Sequence, residues 1–467
     1  MADAMAGTGT LIARPFRWWR SLSPLTRGLL WCFVVFAVVL PVILIATTGG
    51  RTAIHHIRHV LIWQIEGDSW GPVTAALNYL SVFPDQPVYT AIFTDNHIRF
   101  QYPPSSLLFI GPLYHLPQLT HDPDFWPNLV SIVIFVANVA LIVLLLFRAL
   151  AVYAPAYAPR SRMDKLLLAA ATAGLSVTFT PLIASPDWGQ TQTWISAAFA
   201  GAVLAWLEDR KRIAGVLIGL TVAFKPQLGL LLVWALLRRE WRFSWAMFVT
   251  VLVIGVASLA VYGLAQHLNY LEILSDLSRH GESYWWNQSI MGLLHRIQFN
   301  GANTEAESIL REEDEFLPPF NLIAYVGGTA TSAIMILAAL LWRRGEHERA
   351  PMVDFLLASL TFTVASPIAW VYHYGVAVPM FAVALPLVLA ATELGRWRLV
   401  WLVLAFVLLH NRFDVTQQMA HTRLNVLEST FLFGALLLLW LLYRLRGVYG
   451  GAPSPASARL AERGAVA

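Results

Sequence analysis

Long uninterrupted apolar runs constrain the fold of this chain more than any other feature. Helices of about twenty apolar residues match a hydrocarbon core of about 30 Å, whereas the strands of a membrane barrel alternate apolar and polar residues. Of the 467 residues, 57% are hydrophobic and 13% charged, against about a quarter charged in soluble domains. We therefore predict an all-α polytopic membrane protein with about 10–12 transmembrane helices. The predicted spans are 28–46, 127–147, 166–185, 190–207, 243–264, 320–342, 352–368, 374–394, 398–410 and 426–443.

Clusters of Lys and Arg between these runs predict the topology, because such loops stay in the cytoplasm. If all clusters face one side, residues 1–27 form a cytoplasmic N-terminus, 28–446 the membrane domain and 447–467 a disordered cytoplasmic tail. Two long loops, about 47–126 and 265–319, then lie outside. The net charge of +4 has the same origin and gives no reason to expect nucleic acid as a partner. The clusters are 148–165, 208–212, 238–242, 343–349, 396–398 and 444–446.

The first apolar run follows four arginines, a pattern that resembles a signal peptide. The run is long enough to span and lacks a small-x-small cleavage site, so we interpret it as a retained helix. It contains the single cysteine, Cys32, which excludes a disulfide framework. The spacing of His55, His56 and His59 gives no strong ligand set. We expect no structural metal and no cofactor.

The segment 213–237 is apolar but has basic clusters at both ends, which one outgoing helix cannot satisfy. Pro226 lacks a backbone donor and biases Lys225 away from the helical region. We predict two half-helices that meet at Lys225, an arrangement tolerated at membrane depth where it lines a cavity. A lysine at such a position is a functional candidate, and it could bind a phosphate. The alternative is a lysine that snorkels from a helix end.

The first long loop contains two acids, Glu66 and Asp68, beside Trp63 and Trp70. Its length and aromatic content indicate an ordered, functional loop with interfacial helices. A carboxylate near apolar walls has a raised pKa and can act as a general base toward a sugar hydroxyl. The alternative is a solvated loop acid.

Other polar and aromatic residues fall on the predicted outer side and are candidates for substrate binding. Aromatic faces and amides are typical of sugar sites, but Asp187 could equally form a turn and the tryptophans could anchor at the interface. His373, at the start of a span, has a satisfied polar histidine as its alternative role. These candidates are Tyr102, Asp187, Trp188, Gln190, Trp286, Asn287, Gln288, Trp370, Tyr372 and His373, with the cation Arg296 close by.

The order of these motifs resembles glycosyltransferase family 87, from about Asp68 to Tyr374. The shared elements are an early loop Asp, Tyr-Pro-Pro, Gly-Gln at the start of a span, Phe-Lys-Pro-Gln, Asn-Gln-Ser before an Arg, and Ser-Pro-x-x-Trp-x-x-His. In this chain they stand at Asp68, Tyr102–Pro104, Gly189–Gln190, Phe224–Gln227, Asn287–Ser289 and Ser366–His373. The departures are Ala369 and Tyr372, where the family pattern has Ser and the first of two His.

The resemblance implies a GT-C fold and transfer of a hexose from a polyprenyl-phosphate donor to a lipid or glycan acceptor. Its relatives include the mannosyltransferases of phosphatidylinositol mannoside synthesis, so mannose is the expected sugar. Transfer would invert the anomeric centre on the periplasmic face of a bacterial inner membrane, among membrane lipids. The implied roles are Asp68 as base, Lys225 and Arg296 as donor-phosphate ligands, and His373 as a ligand of donor phosphate or acceptor. Glu66 stays open as an alternative base.

Two other classes remain as alternatives to this interpretation. A transporter or flippase of a lipid-linked sugar places polar groups at the bilayer midplane within pseudo-symmetric repeats, and the sequence shows no such repeat. A transferase of the O-antigen-ligase or polymerase kind also uses an outer loop, but with an arginine and histidine pair instead of the early Asp.

Overall fold

The computed structural model describes residues 19–48, 50–304, 307, 317–342 and 347–450. Within them the regular structure is helical, and extended backbone pairs only in an isolated antiparallel bridge between Asn287 and Trp370. The all-α fold class is therefore confirmed. The predictions for residues 1–18 and 451–467, and for residues 343–346 of one basic cluster, fall outside the described residues.

Helices follow one another with short connections outside the two long loops. In the first half they are α1 (Pro24–Thr48), α2 (Ala53–Leu61), α3 (Trp70–Val82), α4 (Leu107–Tyr114), α5 (Phe125–Tyr153), α6 (Arg162–Val177), α7 (Thr180–Asp187), α8 (Gln192–Leu207) and α9 (Lys211–Val222). In the second half they are α10 (Leu230–Leu237), α11 (Trp241–His280), α12 (Ile290–Ile297), α13 (Leu322–Leu341), α14 (Ala350–Val364), α15 (Ala377–Ala390), α16 (Arg398–His410) and α17 (Thr430–Gly450).

Six helical segments of the described chain are long and apolar enough to cross a membrane, which confirms a multi-pass membrane protein. A seventh crossing is possible if α6 and α7, bent by 61° at their junction, form one span. The shorter apolar helices, among them α8, α14 and α16, have 10–17 residues, or about 15–26 Å at 1.5 Å per residue. The predicted 10–12 helices are reached only if these also cross. The six segments are α1, α5, α11, α13, Val371–Ala390 and Asn425–Tyr449.

The predicted break at Lys225 is present. α9 ends at Val222, Lys225 has extended backbone (φ −146°, ψ 119°), and a 3₁₀ turn at Pro226–Gly229 leads into α10. α9 also packs tightly on α11, because a Cβ on Gly215 would meet the Phe243 carbonyl and one on Gly219 would lie 2.8 Å from Thr250. Small residues four apart allow such close helix contact in membranes. The half-helix pair α9 and α10 is thereby held against the long helix α11.

α11 has 40 residues and changes direction at Gly263, whose φ of 75° is not helical. Beyond this kink its side chains hold the first long loop. Gln266 accepts from the Val88 amide at 3.0 Å, and Asn269 accepts from the Tyr89 amide at 2.9 Å. The first long loop is therefore packed onto the membrane domain, as its composition predicted.

One end of α10 and one end of α14 approach the long loops. A buried charge cluster lies at the other ends of these two helices. Asp354 of α14 binds Arg238 at 2.6 Å and Arg446 at 3.2 Å, and it accepts from the indole of Trp234 at 3.0 Å. All three charged side chains are at most 8% exposed. The cluster ties α10, α14 and α17 together at this end.

Replacement of Asp354 by Ala should destabilise the protein strongly, because it leaves two buried guanidinium groups without their carboxylate. We expect a loss of roughly 3–5 kcal/mol, measured as a lower melting temperature in detergent. Arg148→Ala is the control, since Arg148 pairs with Glu208 at 2.7 Å while 54% exposed, and exposed pairs contribute at most about 1 kcal/mol. Equal effects of the two substitutions would contradict the assigned role of the cluster.

Candidate active site

A cavity of about 540 Å³ lies where the first long loop meets three breaks between helices. This volume is within the range of roughly 300–1,000 Å³ common for ligand sites. The breaks are the turn 187–190, the half-helix junction at Lys225, and the segment 365–373. Nine of the residues predicted from the sequence line the cavity, although they are widely separated along the chain. They are Asp68, Tyr102, Trp188, Gln190, Lys225, Trp286, Trp370, Tyr372 and His373.

Asp68 lies two residues before the start of α3 and is held by the turn between α7 and α8. Its backbone amide donates to the Trp188 carbonyl at 3.1 Å, and the Gln190 side-chain amide donates to its carboxylate. Gln190 is itself oriented by Tyr102, whose hydroxyl donates to the Gln190 oxygen at 3.0 Å and lies 2.6 Å from Ser69 Oγ. The network fixes one carboxylate oxygen and directs the group into the cavity.

The environment of Asp68 adjusts the protonation of its carboxyl group. The Asp68 side chain is open to the cavity, yet the pKa of its carboxyl group is raised above the ordinary value of 3.8, because the protein atoms packed around it desolvate the charged form. The Gln190 hydrogen bond and the positive charges of Arg99 and Lys225 act in the opposite direction, and Glu66 adds to the increase. The raised pKa is the property expected of a general base.

Lys225 extends into the cavity from the half-helix junction. Its ammonium donates to Nε2 of His373 at 2.5 Å, and it lies 5.1 Å from the ring centre of Tyr372 and 5.8 Å from that of Tyr102. His373 is buried in the 3₁₀ turn Val371–Val376. The cation is thus held by an imidazole and two aromatic rings on the same cavity as Asp68.

Aromatic rings form one wall of the cavity. The ring centres of Trp188 and Trp286 are 4.1 Å apart, and those of Tyr284 and Trp370 are 6.5 Å apart. A backbone hydrogen bond joins the segments that carry Trp286 and Trp370, since the Val371 amide donates to the Trp286 carbonyl at 3.0 Å. Such flat apolar faces suit the CH faces of a sugar ring.

Three predicted ligands, Asn287, Gln288 and Arg296, are buried outside the cavity lining. Arg296 donates to the Asn287 carbonyl at 2.8 Å and to Ser429 Oγ at 2.7 Å. The Asn287 side chain accepts from the Ala369 amide at 3.0 Å, and that of Gln288 donates to the Glu428 carbonyl at 2.9 Å. The sequence predicted direct contact with sugar or phosphate, whereas the structure directs these groups to backbone that supports the aromatic wall.

Glu66 and Asp187 also lie outside the cavity lining. Glu66 is exposed, and its backbone amide donates to the Asp187 carbonyl at 2.8 Å. The Asp187 side chain is buried and contacts two histidines of α2, with His56 Nδ1 at 2.7 Å and His59 Nδ1 at 3.3 Å. Of the two acids of the first loop, the structure therefore places Asp68 on the cavity.

Arg99 lines the cavity and was not selected from the sequence. It forms a 3.2 Å ion pair with Glu282, which joins the first long loop to the second. The available signal was a charge next to the Tyr-Pro-Pro motif in a stretch that carries no other charge between Asp95 and Asp122. Gln101, Gln227, Ser278 and Ser366 also line the cavity. They were not selected as site residues, although Gln227 and Ser366 lie within two of the quoted motifs.

In the part of the chain that the structure describes, no group of three or more His, Cys, Asp or Glu side chains could hold a metal ion. The expectation that the protein needs no metal or cofactor stays a prediction.

Comparison with known proteins identifies one matching family model, that of glycosyltransferase family 87, over residues 100–367. The match includes Tyr102, Gln190, Lys225 and Trp286 but stops short of Asp68 and His373. An α-(1→3)-arabinofuranosyltransferase of Mycobacterium tuberculosis strain CDC 1551 is 27% identical over 240 residues, which cover 51% of this chain and 48% of that protein. The same enzyme of strain H37Rv matches equally. The chain thus spans about half the length of these curated relatives, and no solved structure matches it.

Gly189→Ala should disturb the segment that carries Asp68. Gly189 has φ of +61°, and an added Cβ would collide with the Glu66 carbonyl and lie 2.7 Å from the Trp70 indole nitrogen. The left-handed backbone alone costs about 1–2 kcal/mol for a residue with a Cβ, so we expect a lower melting temperature. The matched control is Gly255→Ala in α11, where an added Cβ has nothing within 4 Å. A melting temperature of Gly189→Ala equal to that of the control would refute this packing.

Proposed function

The chain belongs to glycosyltransferase family 87, and from this premise we propose that it transfers a sugar from a polyprenyl-phosphate donor to a hydroxyl of a lipid or glycan acceptor. The observation that carries the proposal is the shared cavity. A carboxylate, Asp68, and two cations, Lys225 and Arg99, line the same space beside the aromatic wall. These are the groups needed to activate a hydroxyl and to receive a departing phosphate.

Asp68 acts as the general base. It takes the proton from the acceptor hydroxyl while the acceptor oxygen bonds to the anomeric carbon of the donor sugar. Because Gln190 holds one carboxylate oxygen, the other oxygen is the one presented to the acceptor. Fixed geometry of this kind lowers the barrier by bringing the reactants together in an aligned position.

Lys225 and Arg99 stabilise the leaving group. As the bond between the anomeric carbon and the phosphate oxygen breaks, negative charge grows on the polyprenyl phosphate, and preorganised cations in a water-poor site favour that charge. His373 binds the Lys225 ammonium at 2.5 Å and so directs it toward the phosphate. The reaction is a single displacement that inverts the anomeric centre, and it needs no metal because side-chain cations neutralise the phosphate.

The apolar part of the cavity accommodates the lipid. Leu274 and Leu277 of α11 and Ile336 of α13 line it, and both helices are largely exposed along their membrane-crossing length. A prenyl chain that leaves the cavity between them would enter the bilayer directly. This arrangement favours a lipid-linked donor over a nucleotide sugar.

The sugar is proposed to be a hexose, with mannose as the first candidate. Arabinofuranose is the second candidate, because the curated relatives are arabinofuranosyltransferases. The test is to incubate purified protein with polyprenyl-phosphate mannose or polyprenyl-phosphate arabinofuranose and to measure release of polyprenyl phosphate with each. Movement of an intact donor across a vesicle membrane without release would instead indicate a transporter.

The reaction is proposed to take place on the periplasmic face of the inner membrane. The cavity and the charge cluster around Asp354 lie at opposite ends of α10 and α14. The basic residues 238–242 and 444–446 are at the cluster end, which is the cytoplasmic side by the rule for positive charges.

Asp68→Asn should abolish transfer, because an amide cannot accept the acceptor proton. We expect the rate of polyprenyl phosphate release, measured with EDTA present, to fall by at least about 10²–10⁴-fold, while the protein remains in the membrane. Glu66→Gln is the matched control and should retain the rate, since Glu66 does not line the cavity. The reverse pattern would transfer the role of base to Glu66.

The pH dependence of transfer should report the ionisation of Asp68. Only the carboxylate accepts a proton, so the rate should fall on acidification through a pKa above 3.8. Since the charge of Lys225 lowers the pKa of Asp68, the residual activity of Lys225→Met should lose its rate at a higher pH than the unsubstituted protein. An acidic limb unchanged in this variant would show that Lys225 does not act on the base.

A further inference from the structure

The turn 187–190 makes three hydrogen bonds with residues 66–68, the segment that contains the proposed base Asp68. The Asp187 carbonyl accepts from the Glu66 amide at 2.8 Å, the Trp188 carbonyl accepts from the Asp68 amide at 3.1 Å, and the Gln190 side chain donates to the Asp68 carboxylate. The same turn supplies the Trp188 ring of the aromatic wall. A displacement of this turn therefore moves Asp68 and the Trp188 ring of the aromatic wall together.

Asp187 has its side chain on the opposite side of this turn from the cavity. The carboxylate is 1% exposed and contacts His56 Nδ1 at 2.7 Å and His59 Nδ1 at 3.3 Å. His56 is also 1% exposed, so burial, with the nearby Arg412, lowers the pKa of His56 to about 3. For a neutral His56 we assign the ring hydrogen to Nδ1, which then donates to the Asp187 carboxylate.

We propose that Asp187, which contacts His56 and His59 of α2, is a positioning residue. It holds the turn 187–190 in place and thereby orients Asp68 for proton transfer. The proposal rests on the proposed function of Asp68 as the base. It accounts for a buried carboxylate next to the site that does not reach the cavity. It also gives a role to α2, whose histidines contact neither the cavity nor a metal cluster in the described chain.

The hydrogen bond from His56 can be removed or preserved by two substitutions at one position. His56→Leu fills the space without a donor, whereas the amide nitrogen of His56→Asn stands close to the place of Nδ1 and can still donate to Asp187. Asp187→Ala removes the carboxylate itself. The control is Asp164→Asn, which alters another fully buried carboxylate, one that accepts from the Arg160 amide at 2.8 Å at the start of α6.

The measurements are kcat and KM for a polyprenyl-phosphate sugar, the pH profile of kcat, and the melting temperature of each variant. We expect His56→Leu and Asp187→Ala to lower kcat about 10- to 100-fold, as a displacement near 1 Å can, with KM changed less than about threefold. His56→Asn should recover most of the rate. A displaced Gln190 no longer lowers the pKa of Asp68, so only the charges of Arg99 and Lys225 oppose the increase due to desolvation and Glu66. The acidic limb of the two impaired variants should therefore move to higher pH.

The outcomes separate this inference from the proposed function. Wild-type kcat and pH profile in His56→Leu, with Asp68→Asn inactive, would overturn the positioning role and leave the base intact. An active Asp68→Asn would instead overturn the proposed function. If His56→Leu and Asp164→Asn lose kcat in the same proportion to their loss of melting temperature, the effect is one of stability and the inference fails. If Asp187→Ala does not fold, the two substitutions of His56 decide.

Discussion

The contact between residues 66–68 and the turn 187–190 is the interaction on which the site depends. Asp68 belongs to a loop, and a loop residue points in a fixed direction only where hydrogen bonds hold its backbone and side chain. The amide of Asp68 donates to Trp188 at 3.1 Å, and Gln190 holds its carboxylate. Gly189 permits the close approach because it lacks a Cβ at the place where one would meet the Glu66 carbonyl. These contacts place the carboxylate on the cavity.

Opposite charges share this cavity, since the Asp68 carboxylate and the cations Lys225 and Arg99 all line it. The Lys225 ammonium is bound to His373, and Arg99 is paired with Glu282 at 3.2 Å. Both cations oppose the rise in the pKa of Asp68 that desolvation causes. A base poised in this way and cations held for an incoming phosphate are complementary needs of a transfer from a lipid phosphate.

The membrane class, the break at Lys225 and the ordered conformation of the first long loop could be predicted from the sequence, because each depends on local chemistry. Apolar length sets the spans, and Pro226 forces extended backbone on Lys225, as observed. Side-chain direction depends instead on tertiary packing. Arg296 and Asn287 stand within one short segment with Trp286, yet only Trp286 reaches the cavity while the other two bind backbone. Arg99 reaches it from a stretch whose fold was not predictable. The number of membrane-crossing helices could not be predicted exactly either, since α8, α14 and α16 are too short to assign as spans by length alone.

The most direct measurement of the central claim is a cryo-electron microscopy structure of the protein with polyprenyl phosphate, the proposed product, in lipid nanodiscs. We expect phosphate density within about 3 Å of Lys225 Nζ, the prenyl chain between α11 and α13, and Asp68 across the space that the sugar vacates. Phosphate bound outside this cavity, or with Asp68 and Lys225 facing separate spaces, would contradict it.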